Sequence, residues 1–207
     1  RDKHVTGVQT CALPICEDHC VDDMSTDDTC YQLIQVRPLS SAVGAEISGV
    51  DLADCDTPTF SEIHQAFLDH HVIFFRDQDL SLESHKAFGR RFGTLNVHPQ
   101  YVPLDGHPEI LPIVKEADAE HNIGGVWHSD ITFLERPALG SILYAIDVPD
   151  SGGDTLFANQ ELAFEGLSTG LRQLLCGLRA VHSDHTLSDQ IGRAHVCTPV
   201  TCLARMP

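Results

Sequence analysis

The sequence predicts an all-β or α+β sandwich in one domain. Three observations carry that expectation. Short runs of strand length, alternating or wholly apolar, recur along the 207 residues. A few capped helical segments stand between them. The glycine signatures of nucleotide-binding and hydrolase folds (G-x-G-x-x-G, the Walker loop, G-x-S-x-G) are absent from the sequence, so a βαβ Rossmann pattern is not expected.

The elements follow in order. YQLIQVRPL at 31–39 alternates and reads as a strand. GAEISGVDL at 44–52 reads as a second, with Gly49 at a bend. Thr57-Pro58 opens a helix, with Thr57 as cap and Pro58 at the first helical position. Ile63, Ala66, Phe67 and His70 follow at helical spacing. HVIFFR at 71–76 is a short buried strand. Ser81 starts a second helix that turns Leu82, Ala87, Phe88 and Phe92 mostly inward and stops at Gly93. EILPIV at 109–114 reads as a strand, Pro112 marking an edge or bulge. Residues 118–125 read as a loop and 126–133 as a strand. GSILYAIDV at 140–148 is a strand, PDSGG at 149–153 a turn, and DTLFA at 154–158 another strand. Helices then span 159 or 160 to 166 and 168–177, and 178–182 returns to strand.

Composition narrows the partners. With 42% hydrophobic and 21% charged residues, the chain reads as a soluble globular protein. A net charge of −17 repels phosphate backbones, which argues against nucleic acid or an anionic membrane as partner. Neither an apolar run of membrane-spanning length nor a signal-peptide pattern is visible, and the expected location is the cytoplasm. Eight cysteines invite a zinc or disulfide argument. Five of them (Cys11, Cys16, Cys20, Cys197, Cys202) lie near the ends, and Cys16-x-x-x-Cys20 lacks a matching second pair.

The two ends read as foreign. A back-translation of Val5 to Ile15 has a reverse complement that, in a shifted frame, encodes Ile191 to Val196 and then Thr198 to Val200. The codon between them is a stop, one base from a cysteine codon, where the chain has Cys197. Opposite strands of one DNA encoding both ends resembles translated sequencing adapter. Residues 1–23 are therefore expected to be a non-native or disordered segment, and 191–207 a non-native tail. The domain is then 24–190, with Met24 a native start and the native chain continuing past Gln190.

The chemistry concentrates at Trp127-His128-Ser129-Asp130. In a strand, His-x-Asp places an imidazole and a carboxylate on the same side, because side chains alternate with period two. Those are two thirds of a 2-His-1-carboxylate triad, which holds Fe(II) and leaves positions open. Read by itself, the pair is better taken as a hydrogen-bonded His and Asp at a strand end, with no metal. Thr155 reads by itself as the exit of a turn made by Gly152 and Gly153. His98 and Tyr101 read as loop residues beside Pro99 and Pro103, Trp127 as packing behind the pair, and Arg76, Arg90 and Arg91 as partners of surface carboxylates.

An ordered string of motifs from Val36 to Ser183 resembles the taurine dioxygenase family of Fe(II)/2-oxoglutarate-dependent oxygenases. The pieces are GAEISGVDL at 44–52, VIFFRDQ at 72–78, RRFG at 90–93, HPQY at 98–101, WHSDITF at 127–133 and GGDTLFAN at 152–159, extended by LRQLLCGLRAVH at 171–182. Each piece is weak, and their order and spacing carry the match. The resemblance implies a mainly β fold with flanking helices, a double-stranded β-helix or jelly roll, incomplete in this chain. It implies His128 and Asp130 as iron ligands and the catalytic centre. Thr155 would bind the 2-oxoglutarate carboxylate, and His98 and Tyr101 would face the substrate. The family's second ligand His and its carboxylate-binding Arg would lie beyond Gln190, with His182 and His185 too early to replace them.

The implied reaction uses Fe(II), 2-oxoglutarate and O₂ to hydroxylate a small organic acid, releasing succinate and CO₂. Where taurine-type members carry an Asn four residues before the ligand His, this chain has Gly124. A polar contact to the substrate is lost there, so an alkyl sulfate, another sulfonate or a different small acid is as admissible as taurine. A homo-oligomer is expected of the intact protein. The alternative is a cupin-like module that binds a metal or small acid without turnover. The chain itself is also expected to be an inactive fragment of low solubility that binds iron weakly.

Overall fold

The computed structural model describes residues 5–10, 31–99, 101–115, 127–183 and 197–201, with side chains for 31–99, 101–115 and 127–182. Its strands are β1 (Val5–Thr10), β2 (Gln35–Pro38), β3 (Ala45–Ser48), β4 (Val72–Arg76), β5 (Gly140–Tyr144), β6 (Arg179–Ser183) and β7 (Cys197–Thr201). Its α-helices are α1 (Thr57–His70), α2 (Leu82–Phe92), α3 (Gln160–Glu165) and α4 (Thr169–Cys176). The main sheet has the order β2-β3-β4-β1-β5, and β6 pairs β7 in a second sheet. A mixed sheet with helices agrees with the α+β expectation.

The helices begin where short polar side chains can cap them. The Asp56 carboxylate accepts from the Thr59 N–H at 2.9 Å, so Asp56 rather than Thr57 caps α1 and Pro58 moves one position inward. Ser81 caps α2 as expected, accepting from the Ser84 N–H at 3.1 Å. Asn159 and Ser168 cap α3 and α4 in the same way. The α1 helix turns Ile63, Ala66 and Phe67 inward and ends at His71 in the left-handed region. It carries the chain from β3 to a parallel β4, a βαβ crossover that the sequence pattern did not suggest.

Register sorts the main sheet into two faces. Ile73 and Ile142 both pair with Val8 of β1, and Phe75 and Tyr144 both pair with Thr6. These four side chains share one face and join the core with Ile47, Ile63, Phe67 and Phe88. Edge-to-face contacts among Phe60, Phe67, Phe75, Phe88 and Phe92 fill the space between α1, α2 and the sheet. Phe74, Ser141 and Leu143 therefore point to the other face. Gln78 ties the core side together. Its side chain accepts from the Leu52 N–H and donates to the Val50 and Arg76 carbonyls. Its own carbonyl accepts from the Tyr144 hydroxyl.

Charged groups pin the periphery. Glu46 bridges β2 and β4 through Arg37 at 3.0 Å and Arg76 at 3.1 Å. Glu62 accepts the backbone N–H groups of Gln32, Leu33 and Ile34. Arg90 reaches Glu109 at 3.7 Å. Among the described residues Arg91 forms no carboxylate ion pair: it bonds the Cys55 and Asp56 carbonyls and lies 4.2 Å over the Phe60 ring.

Several expectations fail. Residues 109–114 and 154–158 form no strand, for neither has a neighbouring strand to complete a ladder among the described residues. Residues 127–133 are an irregular turn, with Ile131 at φ 40°. On α2, Ala87 and Leu82 are exposed while Lys86 is buried, its ammonium 2.9 Å from Glu83 and 3.0 Å from His107 Nδ1. The expected loop at 118–125 falls on 116–126, outside the described residues. Two segments set aside as foreign carry backbone strands, β1 and β7. Strand pairing uses main-chain groups that every residue type except proline supplies in full, so the pairing is independent of where these sequences came from.

Phe67→Ala leaves a cavity between α1 and the sheet, and should cost about 3–5 kcal/mol of stability in chemical denaturation. Stability should also fall with acid. Burial holds His85 below the usual imidazole range, partly offset by its hydrogen bond to the Ile142 backbone. The unfolded chain then binds the extra proton first, so stability falls as pH drops through about 6.5. Glu46 and Asp56 are held below the carboxylate range chiefly by their hydrogen bonds to Arg76 and Thr59. Burial raises Glu62, but its three N–H donors together outweigh that. These three stabilise above about pH 4.3 and cease to as pH falls through their folded values. His85→Gln should flatten the change in Tm between pH 7.5 and 5.5 and leave the steeper fall below pH 4.5.

Candidate functional site

The site lies on the face of the main sheet opposite the aromatic core. Asp130 connects to that face through Ser141 of β5, whose hydroxyl donates to Asp130 Oδ2 at 3.1 Å. The other carboxylate oxygen, Oδ1, stands 3.0 Å from His128 Nε2. His128 and Asp130 are thus brought together as the sequence predicts, although a turn rather than a strand does it. The two side chains are 48% and 38% exposed, so the pair is open to a solute and is not a sealed core contact.

The donor atoms fit a metal ion. Nitrogen and oxygen ligands at about 2.1 Å, set at right angles, stand about 3.0 Å apart. That is the observed separation of Nε2 and Oδ1. Without metal the same distance suits a hydrogen bond from a protonated Nε2. Among the described residues no group of three His, Cys, Asp or Glu side chains is arranged to hold a metal ion.

A second tie holds the same segment. His182 of β6 places Nδ1 2.8 Å from the Thr132 hydroxyl. The turn is therefore gripped on both sides of Ile131, Asp130 by β5 and Thr132 by β6. A β-branched residue at positive φ is strained, and such strain persists only where neighbouring contacts fix the backbone. The sequence reading missed Ser141 and Thr132 and considered His182 only as a ligand. Period two was the available signal: Ser141 alternates with core-facing Ile142, and Thr132 lies two residues beyond Asp130.

His98 joins the site. Burial holds its imidazole below the usual range, and the nearby Asp130 charge offsets part of that. Its ring meets Tyr101 edge-on, with centroids 4.7 Å apart. Thr155 is not brought in: it is exposed, beyond a turn in which Gly152 and Gly153 take φ 82° and 75°. Trp127 is 70% exposed and does not pack behind the pair as expected, since nothing among the described residues covers it. A shallow, open hollow of about 320 Å³ lies along Val102, Pro103, Leu104, Asp105, Gly106 and Pro108. It offers a single carboxylate and no imidazole, so the chemistry favours the His128–Asp130 pair.

Known proteins resemble this chain over most of its length. The family described as taurine catabolism dioxygenase TauD, TfdA matches residues 35–202. An alkylsulfatase of Acinetobacter baylyi is 39% identical over 74% of this chain and 48% of its own length. An alpha-ketoglutarate-dependent sulfate ester dioxygenase of Pseudomonas putida is 38% identical over 73% and 50%. The crystal structure of a taurine dioxygenase from Burkholderia xenovorans is 39% identical, with a TM-score of 0.62 over 73% of this chain and 54% of that one. The chain spans about half the length of the curated relatives it matches. By the extent of the family match, this chain belongs to the taurine catabolism dioxygenase TauD, TfdA family.

Proposed function

We propose that the protein is an Fe(II)- and 2-oxoglutarate-dependent dioxygenase that hydroxylates a small organic acid, an alkyl sulfate or sulfonate, with release of succinate and CO₂. The observation that carries this is the pairing of His128 Nε2 and Asp130 Oδ1 at the spacing of adjacent metal ligands, in a chain of this family. The jelly roll is the fold that the reading implies for the whole protein.

Bound Fe(II), with 2-oxoglutarate and O₂, would supply the oxidation. The chain's residues supply placement. His128 would offer Nε2, and Asp130 one oxygen, on a side open to solutes. His98, whose imidazole burial holds below the usual range, would face the anionic head group of the substrate. Tyr101 holds the His98 ring edge-on and adds a phenol. Thr155, exposed beyond its glycine turn, is proposed as the hydroxyl that meets the far carboxylate of 2-oxoglutarate. The names of the two sulfate-ester relatives, and Gly124 in place of the taurine-type Asn, favour sulfate esters over taurine.

A binding module without turnover is the second reading. It is favoured because no third His, Cys, Asp or Glu among the described residues completes a metal-holding group with the pair.

Succinate formation by the full-length protein decides between them. With Fe(II), ascorbate, O₂ and 2-oxoglutarate, succinate should rise with one member of a panel of alkyl sulfates and sulfonates. Asp130→Ala should lower that rate by more than the ~10–100-fold that loss of a ligand's hydrogen-bonding partner costs. Metal binding without succinate from any substrate would support the binding module.

A further inference from the structure

We propose that Ser141 is a positioning residue for the metal-ligand carboxylate, fixing Asp130 so that it presents a single oxygen to the metal. This rests on the reading of His128 and Asp130 as ligands. An aspartate's terminal torsion is broad, so the backbone alone does not fix the plane of the carboxylate. Here the backbone is a poor guide as well, because Asp130 lies in a turn with no strand ladder and precedes Ile131 at φ 40°.

The fixed reference comes from β5. Ser141 precedes Ile142, which packs against the aromatic core on the opposite face. Its register with Gln9 of β1, opposite Val72 of β4, sets it on the site face. A carboxylate oxygen accepts, so the serine O–H donates, and Oδ2 is thereby occupied at 3.1 Å. Rotation of the carboxylate would break this bond. Oδ1 is left beside His128 Nε2 at 3.0 Å. One oxygen held back means one coordination position taken, not two. That keeps more of the metal's coordination sphere open for further ligands. A hydrogen-bonding partner of this kind orients a ligand without touching the metal.

The test uses Mn(II) alone as probe, with free Mn(II) followed by electron paramagnetic resonance during titration of the full-length protein. Five variants are compared with the parent: S141A, S141T, S141V, H128A and D130N. Threonine and valine match in volume and differ in the hydroxyl, so S141T against S141V tests the bond even if S141A melts early. The expected result is a Kd raised about 10–100-fold in S141A and S141V, a parental Kd in S141T, and binding lost in H128A and D130N. If H128A and D130N lose Mn(II) while S141V binds as the parent does, the positioning role is overturned and the ligand pair stands. If H128A and D130N bind as the parent does, the ligand pair itself is overturned, and the role of Ser141 with it.

Discussion

The packing of β4 against α1 and α2 sets everything else in this structure. Ile73 and Phe75 are fully buried, and their partners Phe67, Phe88 and Ile63 come from both helices and close the space around them. Because strand side chains alternate, seating Ile73 and Phe75 in that core leaves Phe74 on the other face. The same choice passes through the ladder to β5, where Ile142 and Tyr144 turn inward and Ser141 outward. A slip of one residue would carry Ser141 into the aromatic core and Ile142 to the ligand side. The core therefore decides where a hydroxyl can meet Asp130.

The site face is built differently from the core face. The core is closed by complementary aromatic rings, whereas the site face is held by a few directional bonds to an irregular turn. The sheet provides the fixed reference, and the short turn carries His128 and Asp130 toward solvent. The β5 to β6 part of the chain also exposes large apolar side chains, among them Leu143, Ile146, Leu156, Leu174 and Val181.

Much of this was legible in the residues. Ser81 and Gly93 bound α2 as capping chemistry requires, and the apolar run at 72–76 became the central strand. The meeting of His128 and Asp130 was also legible, since side chains two apart in an extended run share a side. Its setting was not. A strand was expected from alternation, but a strand needs a partner, and the turn at Ile131 arises from ties to Ser141 and His182 that lie far along the chain. Asp56 displaced Thr57 as cap because both residue types cap well, and only the position of the Thr59 N–H decides between them. Lys86 shows the same limit: its burial depends on His107 across a loop, which local periodicity does not encode.

The central claim is that His128 and Asp130 are adjacent ligands of one metal ion. Side-chain NMR of the chain's 13 histidines during substoichiometric addition of Mn(II) tests it most directly. Paramagnetic broadening falls steeply with distance. The account predicts that the His128 imidazole signal disappears first, while His64, stacked on Phe92 against the core, and His85, beside Tyr144, keep theirs. Persistence of the His128 signal while another histidine broadens first would contradict it.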